Sequence, residues 1–182
     1  MRADAKKNYD HLMSIAQKAL LEQGADVSMR DIARQADVGV GTLYRHFPTR
    51  EALLDALLRS SFDDLAGKAN ELNGAAETDK ALLVWLEEVI AFTHAHRGIL
   101  EPMMSAIEDP ASALHESCVR LKTAGASLLR RAQADGTARP DLDGAELFDL
   151  IAALAWLREQ PAHAQRAARL FNVVAGAVLK AP

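Results

Sequence analysis

Between Ser28 and Leu54 the chain reads SMRDIARQADVGVGTLYRHFPTREALL. Its spacing predicts a helix, a tight turn, a second short helix and, at once, the start of a third. Ser28 fits an N-cap, and Asp31 three residues on completes the pattern of a capping box. Met29, Ile32, Ala33 and Ala36 give the first of these helices an apolar face. Asp37-Val38-Gly39 ends it, and Gly39 is expected to supply the backbone freedom of the reversal. The next helix, Val40 to Phe47, has barely two turns and only Leu43 and Phe47, four apart, to bury. That leaves Gly41, Thr42, Tyr44, Arg45 and His46 facing outward.

A helix this short, small and polar in front and basic behind, suits a DNA major groove. The run DIARQADVGVGTLYRHF, the Pro-Thr-Arg-Glu step after it and the Ala-Leu-Leu that opens the next helix resemble the TetR family of one-component transcriptional repressors. The resemblance is specific over roughly residues 8–58 and only architectural beyond Arg59. It implies that Val40, Gly41 and Thr42 meet base edges. Gly41 permits close approach, and the methyl groups of Val40 and Thr42 suit a thymine methyl. Tyr44, His46 and Arg50 are expected on phosphates, setting register without reading sequence. Arg30 reaches the groove or its wall, and Ser28 donates to phosphate. For Arg45, a guanine contact and a phosphate contact both stay open. Lys6 and Lys7 precede this unit as a possible backbone-bracing arm.

Charge supports the division. Residues 1–50 carry eight Lys/Arg against six Asp/Glu, and residues 51–182 thirteen against nineteen. The net charge of −4 therefore hides a mildly basic head on an acidic body, so only the head approaches phosphate. Apolar residues make up 49% of the 182 and aromatics 5%, and no stretch alternates long enough for a strand. The expected fold is all-α, about nine helices. A helix-turn-helix DNA-binding head spans residues 1–50, and a ligand-binding and dimerisation body residues 51–182. No apolar run approaches a membrane span. The single cysteine, Cys118, excludes an internal disulfide and fits a reducing cytoplasm.

Along the chain the expected helices are 3–23, ended by Gly24, then the two short ones. A long helix follows from Thr49 past Leu65, linking head to body without a flexible linker. Segment 79–96 is strongly apolar. Gly98 and Pro102 bracket a short piece holding Met103, Met104 and Ile107. Asp109-Pro110 opens a helix running to about Ala134, with Pro110 in its first turn. Two last helices, about 143–159 and 161–179, join at a tight turn, Gln160-Pro161.

One head reads only a few base pairs, so a two-fold dimer with recognition helices ~34 Å apart is expected on a palindromic operator of double-stranded DNA. Its surface is predicted on the last two helices, from Leu147, Leu150, Ile151 and Leu154 on one, and Leu170, Val173, Val174, Ala177 and Val178 on the other. A pocket for an unidentified small-molecule effector is predicted from Trp85, Phe92, Met103, Met104, Ile107, Leu121 and Trp156. His94, His96, Glu101 and His115 are candidates to orient a ligand. The rival reading is a DNA-binding scaffold whose body binds a protein partner.

Other chemistry is not expected. There is no glycine-rich phosphate loop, no Gly-x-Ser-x-Gly elbow and no His-Glu-x-x-His, so the reading is of a non-enzyme without cofactor. His94 and His96, two apart on a helix, point to different sides and do not chelate together, and no metal site is expected. Glu87-Glu88, Glu108-Asp109 and Asp63-Asp64 diverge as solvated neighbours.

Overall fold

The computed structural model describes residues 2–96, 99–160 and 162–179. Among them are nine helices: α1 (Arg2–Gln23), α2 (Met29–Gln35), α3 (Val40–His46), α4 (Arg50–Leu72), α5 (Thr78–Ala95), α6 (Leu100–Glu108), α7 (Ala113–Ala134), α8 (Gly144–Glu159) and α9 (Ala164–Val178). A 3-10 turn, Gly24–Asp26, follows α1. The only extended pairing among the described residues is an isolated bridge between Ala138 and Leu179. The all-α expectation holds.

Local chemistry sets most boundaries. Gly24, at φ 73°, ends α1 in the left-handed conformation open to glycine. Thr49 Oγ1 accepts from Ala52 N (3.1 Å) and caps α4. Asp143 and Glu146 exchange hydrogen bonds of 2.8 Å in both directions, a complete capping box at the start of α8. Ser28 Oγ accepts from Asp31 N (3.4 Å), but Asp31 turns its carboxylate to Arg34 (2.7 Å), so only half of the expected box forms.

Three expectations are corrected. Gly39 does not supply the left-handed turn: it is extended, at φ −62°, and serves as the N-cap of α3. Asp37 takes that role at φ 53°. Val38 N bonds Ala33 O (3.0 Å) and Asp37 N bonds Arg34 O (3.3 Å), a Schellman closure in which aspartate stands for glycine. Pro110 does not open the long helix. Asp109 Oδ1 accepts from Ala111 N (3.0 Å) in a turn, and Ser112 caps α7 instead, its Oγ 3.1 Å from Leu114 N. Pro102 does not bound the short piece either, because α6 begins before it at Leu100. Proline is tolerated there, since first-turn N–H groups have no helical partner. Gly98 and Pro161 lie outside the described residues.

α1, α2 and α3 close around Leu12, Ala16, Leu20, Ile32 and Leu43, and α4 completes that cluster with Leu53, Leu54, Leu57 and Leu58, all buried. Further along, α4 gives Phe62, Leu65, Ala66 and Ala69 to the body core. α4 lies most extensively against α7. The body is centred on Trp85, fully buried, whose Nε1 donates to the Leu65 carbonyl (3.0 Å). Its six-membered ring lies over Gly125 of α7, where an added Cβ would stand 2.1 Å from it. Phe148 of α8 meets the same indole edge-on at 5.8 Å.

At the end of α5, His96 is 3% exposed. Its Nδ1–H donates to the Phe92 carbonyl (2.9 Å) and its ring stacks on Phe92, centroids 4.2 Å apart. Burial holds its pKa below the ordinary 6.5, and the bond to Phe92 only partly offsets this.

Two predictions follow from these contacts. Gly125→Ala forces the Trp85 ring aside and lowers stability by about 1–3 kcal/mol in denaturant unfolding, as overpacking does; an unchanged midpoint contradicts the notch. For His96, the unfolded chain binds the proton more readily than the native one, so stability is full above 6.5 and declines as pH falls below it. The decline in melting temperature from neutrality to about pH 5.5 is therefore shallower in His96→Phe than in the wild type.

Candidate nucleic-acid interface

α3 has seven residues, so little of it can be buried, and burial goes to Leu43 (0% exposed) with Phe47 just after its end (4%). Everything else on the helix is left outside or half outside. Val40 (38% exposed) and Tyr44 (45%) are large side chains in solvent. Gly41 is exposed, and nothing lies within 4 Å of where its Cβ would be, so a surface can approach the backbone closely. Thr42 is half-buried and Arg45 exposed.

Arg45 Nη2 donates to Thr42 Oγ1 at 2.9 Å. Helical side chains lean toward the N-terminus of their helix, and this bond holds the guanidinium back along α3 at Thr42. His46 is exposed, yet its ring packs edge-on against Tyr9 of α1 (centroids 5.8 Å) and near Phe47 (6.2 Å). Tyr9 also meets Phe47 at 5.8 Å. No local pattern marks this brace, because Tyr9 and His46 lie 37 positions apart and only the folding of α1 beside α3 joins them.

Arg50, expected on a phosphate, is held within the chain. Its Nη1 lies 3.5 Å from Asp26 Oδ1 and its Nε 3.9 Å from Glu51 Oε1, with the side chain 38% exposed. Such exposed pairs are weak, so a phosphate can displace Asp26, but Arg50 starts from a held position. Ser28 is half-buried in its capping role, and Arg30 stands exposed in the first turn of α2. Lys6 and Lys7 are exposed on α1; α1 extends to Arg2, so they belong to the helix and not to a preceding arm.

The predicted effector residues divide by burial. Trp85, Met103 and Leu121 are buried, and Phe92 and Ile107 half-buried. Met104 (43%) and Trp156 (58%) face solvent. Trp85 packs as core, as its bond and ring contacts require. His115 caps the end of α6, its Nδ1 2.8 Å from the Ile107 carbonyl. The predicted dimer set also divides. Leu147, Ile151, Leu154 and Val178 are buried within the chain, and Leu150, Leu170 and Val174 are half-buried against its core. α8 turns these residues toward α5, α7 and α9, leaving Val173 (62%) and Ala177 exposed from that set. Trp156 belongs with them as exposed apolar surface. Among the described residues no cluster of three metal-ligating side chains occurs, and no helix is long and apolar enough to cross a membrane. Burial raises the Cys118 thiol above its ordinary value, which disfavours thiolate chemistry.

Comparison with known proteins matches both parts of the chain. The family model of bacterial regulatory proteins, tetR family, covers residues 12–57. The model described as transcriptional regulator SbtR-like, C-terminal domain, covers residues 77–176. The transcriptional repressor KstR2 of Rhodococcus jostii is 28% identical over 153 residues, 80% of this chain and 75% of that protein. The crystal structure of the TetR transcriptional regulator SCO0520 of Streptomyces coelicolor has a TM-score of 0.75 at 29% identity, covering 94% of this chain and 99% of that one. A TetR regulatory protein of Mycobacterium vanbaalenii gives 0.75 at 27% identity, with 98% and 99% covered.

The sorting of contacts has a direct test. Arg50→Ala is expected to weaken binding to all DNA sequences alike and flatten the dependence on salt. Thr42→Val and Arg45→Ala are expected to relax preference at one shared base position, because each removes the same bond. Binding-site selection with each variant reads this out; two unrelated positions would separate Thr42 from Arg45.

Proposed function

The chain belongs to the TetR family of transcriptional regulators, and from that premise we propose that it is a repressor that binds a palindromic operator as a homodimer and leaves it when a small molecule binds the body. The observation that carries the reading is the bare flank of α3. Around a buried Leu43, Val40, Gly41, Tyr44 and Arg45 are exposed and Thr42 is half-buried, its hydroxyl accepting from Arg45. Residues 1–50 act as the head and residues 51–182 as the body, with α4 common to both cores.

Dimerisation supplies the second head. Its surface is proposed on the outer face of the α8–α9 hairpin, where Trp156, Val173 and Ala177 are exposed and Ala153 and Gly176 add little bulk. An apolar patch on a monomer is a common mark of an interface, and a two-fold operation on one hairpin makes a four-helix bundle. An effector then acts by preferring a body conformation in which α4 alters the spacing of the heads. It can shift DNA affinity only by its own difference in affinity for the two states, ~1–3 kcal/mol for ordinary coupling.

Gel retardation of the DNA immediately upstream of the gene tests the head. Retardation at low salt that fades with added salt is expected, and none at low salt overturns the assignment. Sedimentation tests the interface: the wild type is expected as a dimer and Val173→Glu with Trp156→Ala as a folded monomer with greatly weakened retardation. A double variant that remains dimeric moves the interface elsewhere.

A further inference from the structure

α4 and α7 run side by side in the same sense, Asp63 facing Arg120 and Asn73 facing Ser127. Between them lies a groove of about 580 Å³, a volume in the range that holds small ligands. The ion pair of Asp63 with Arg120 (2.7 Å) closes one end. Between its ends the groove is open and mainly apolar, lined by Ala66, Gly67, Val119 and Ala124 with the one hydroxyl of Thr123. The other end opens at Asn70, Ser127 and Arg130.

Two of these residues have no role in holding the fold. Gly67 sits inside the 23-residue α4, where glycine is destabilising relative to alanine. No neighbour requires it, since a Cβ there meets nothing within 4 Å; Gly125, by contrast, is demanded by Trp85. What the missing side chain does is keep the groove open. Arg120 is committed to Asp63 and Ser117. Arg130 is exposed and enters no ion pair or hydrogen bond among the described residues. It also borders a second groove, between α7 and α8, lined by both Lys122 and Asp149.

An uncommitted guanidinium offers a planar fork to a carboxylate or phosphate, while the floor beside it suits hydrocarbon and not a hydrated ion. From Asp63 to Asn70 the α4 wall rises ~10 Å, which bounds the apolar part. We infer that this groove binds an amphipathic anion, a small carboxylate- or phosphate-headed molecule with a short apolar tail, its head on Arg130 and its tail over Gly67. Its action as an effector rests on the function proposed above. The occupant lies between α7 and the one helix shared by head and body, so filling the groove bears directly on how α4 is held.

Titration calorimetry of the full chain with octanoate, and with octanol and acetate as controls, tests the site. Saturable binding of octanoate is expected, with octanol and acetate each weaker by about tenfold or more, because each lacks one half of the match. Arg130→Gln reduces octanoate affinity by a similar factor. Gly67→Leu fills the groove and abolishes binding while its melting temperature stays at or above that of the wild type. No saturable heat, or binding that survives both substitutions, overturns the site. Octanoate is also expected to release wild-type protein from DNA and to leave Gly67→Leu bound; unchanged retardation at saturation overturns the effector role. Retardation without ligand is measured separately, so a failure of the head is not confused with a failure of the groove.

Discussion

The indole of Trp85 is the contact on which the body depends. It donates to the Leu65 carbonyl of α4, lies in the notch that Gly125 leaves in α7, and meets Phe148 of α8. A residue of α5 thus touches three other helices at once. A helix carbonyl inside α4 is already bonded within the helix, so the indole N–H adds a second donor to it. Burying a tryptophan removes a large apolar area from water, and the polar end finds a partner. With these helices pinned, the spacing of α4 against α7 is set, and so is the width of the groove between them.

α4 carries that order into the head. Its first two turns bury leucines against α1, α2 and α3, and its later turns bury Phe62, Leu65 and Ala69 in the body. One helix in two cores leaves no flexible joint at the boundary. The ion pair of Asp63 with Arg120 and the bond from Arg131 to the Ala75 carbonyl (2.7 Å) tie both its middle and its end region to α7. A shift of α7 against α4 therefore reaches the head through a stiff rod.

Much of this was legible because the determinants are local. Helical periodicity marked every long element, and Gly24, Thr49 and Asp143 acted where their chemistry predicts. The head was legible in more detail than the body, since a helix with only Leu43 and Phe47 to bury exposes its other side by necessity. The turn after α2 differs from its local pattern because aspartate can occupy the left-handed region that glycine usually marks, and Asp37 stands two residues from a glycine. The start of α7 differs for a similar reason: Asp109 and Ser112 both offer capping oxygens, and only the folded chain selects between them.

The sequence by itself determined the all-helical class, the short helix α3 with its exposed flank and the family, because these rest on neighbours three and four residues apart and on a contiguous motif. The tertiary structure alone decided which apolar stripes are spent inside the chain. Leu147, Ile151 and Leu154 read from sequence as a free face and prove to be core, while Trp156 reads as a pocket residue and stands in solvent. It also decided that Arg120 is held and Arg130 is not, since Asp63 lies 57 positions from Arg120 and meets it only through the packing of α4 on α7. Periodicity shows that a helix has an apolar side; only the neighbours that arrive from distant segments determine what that side covers.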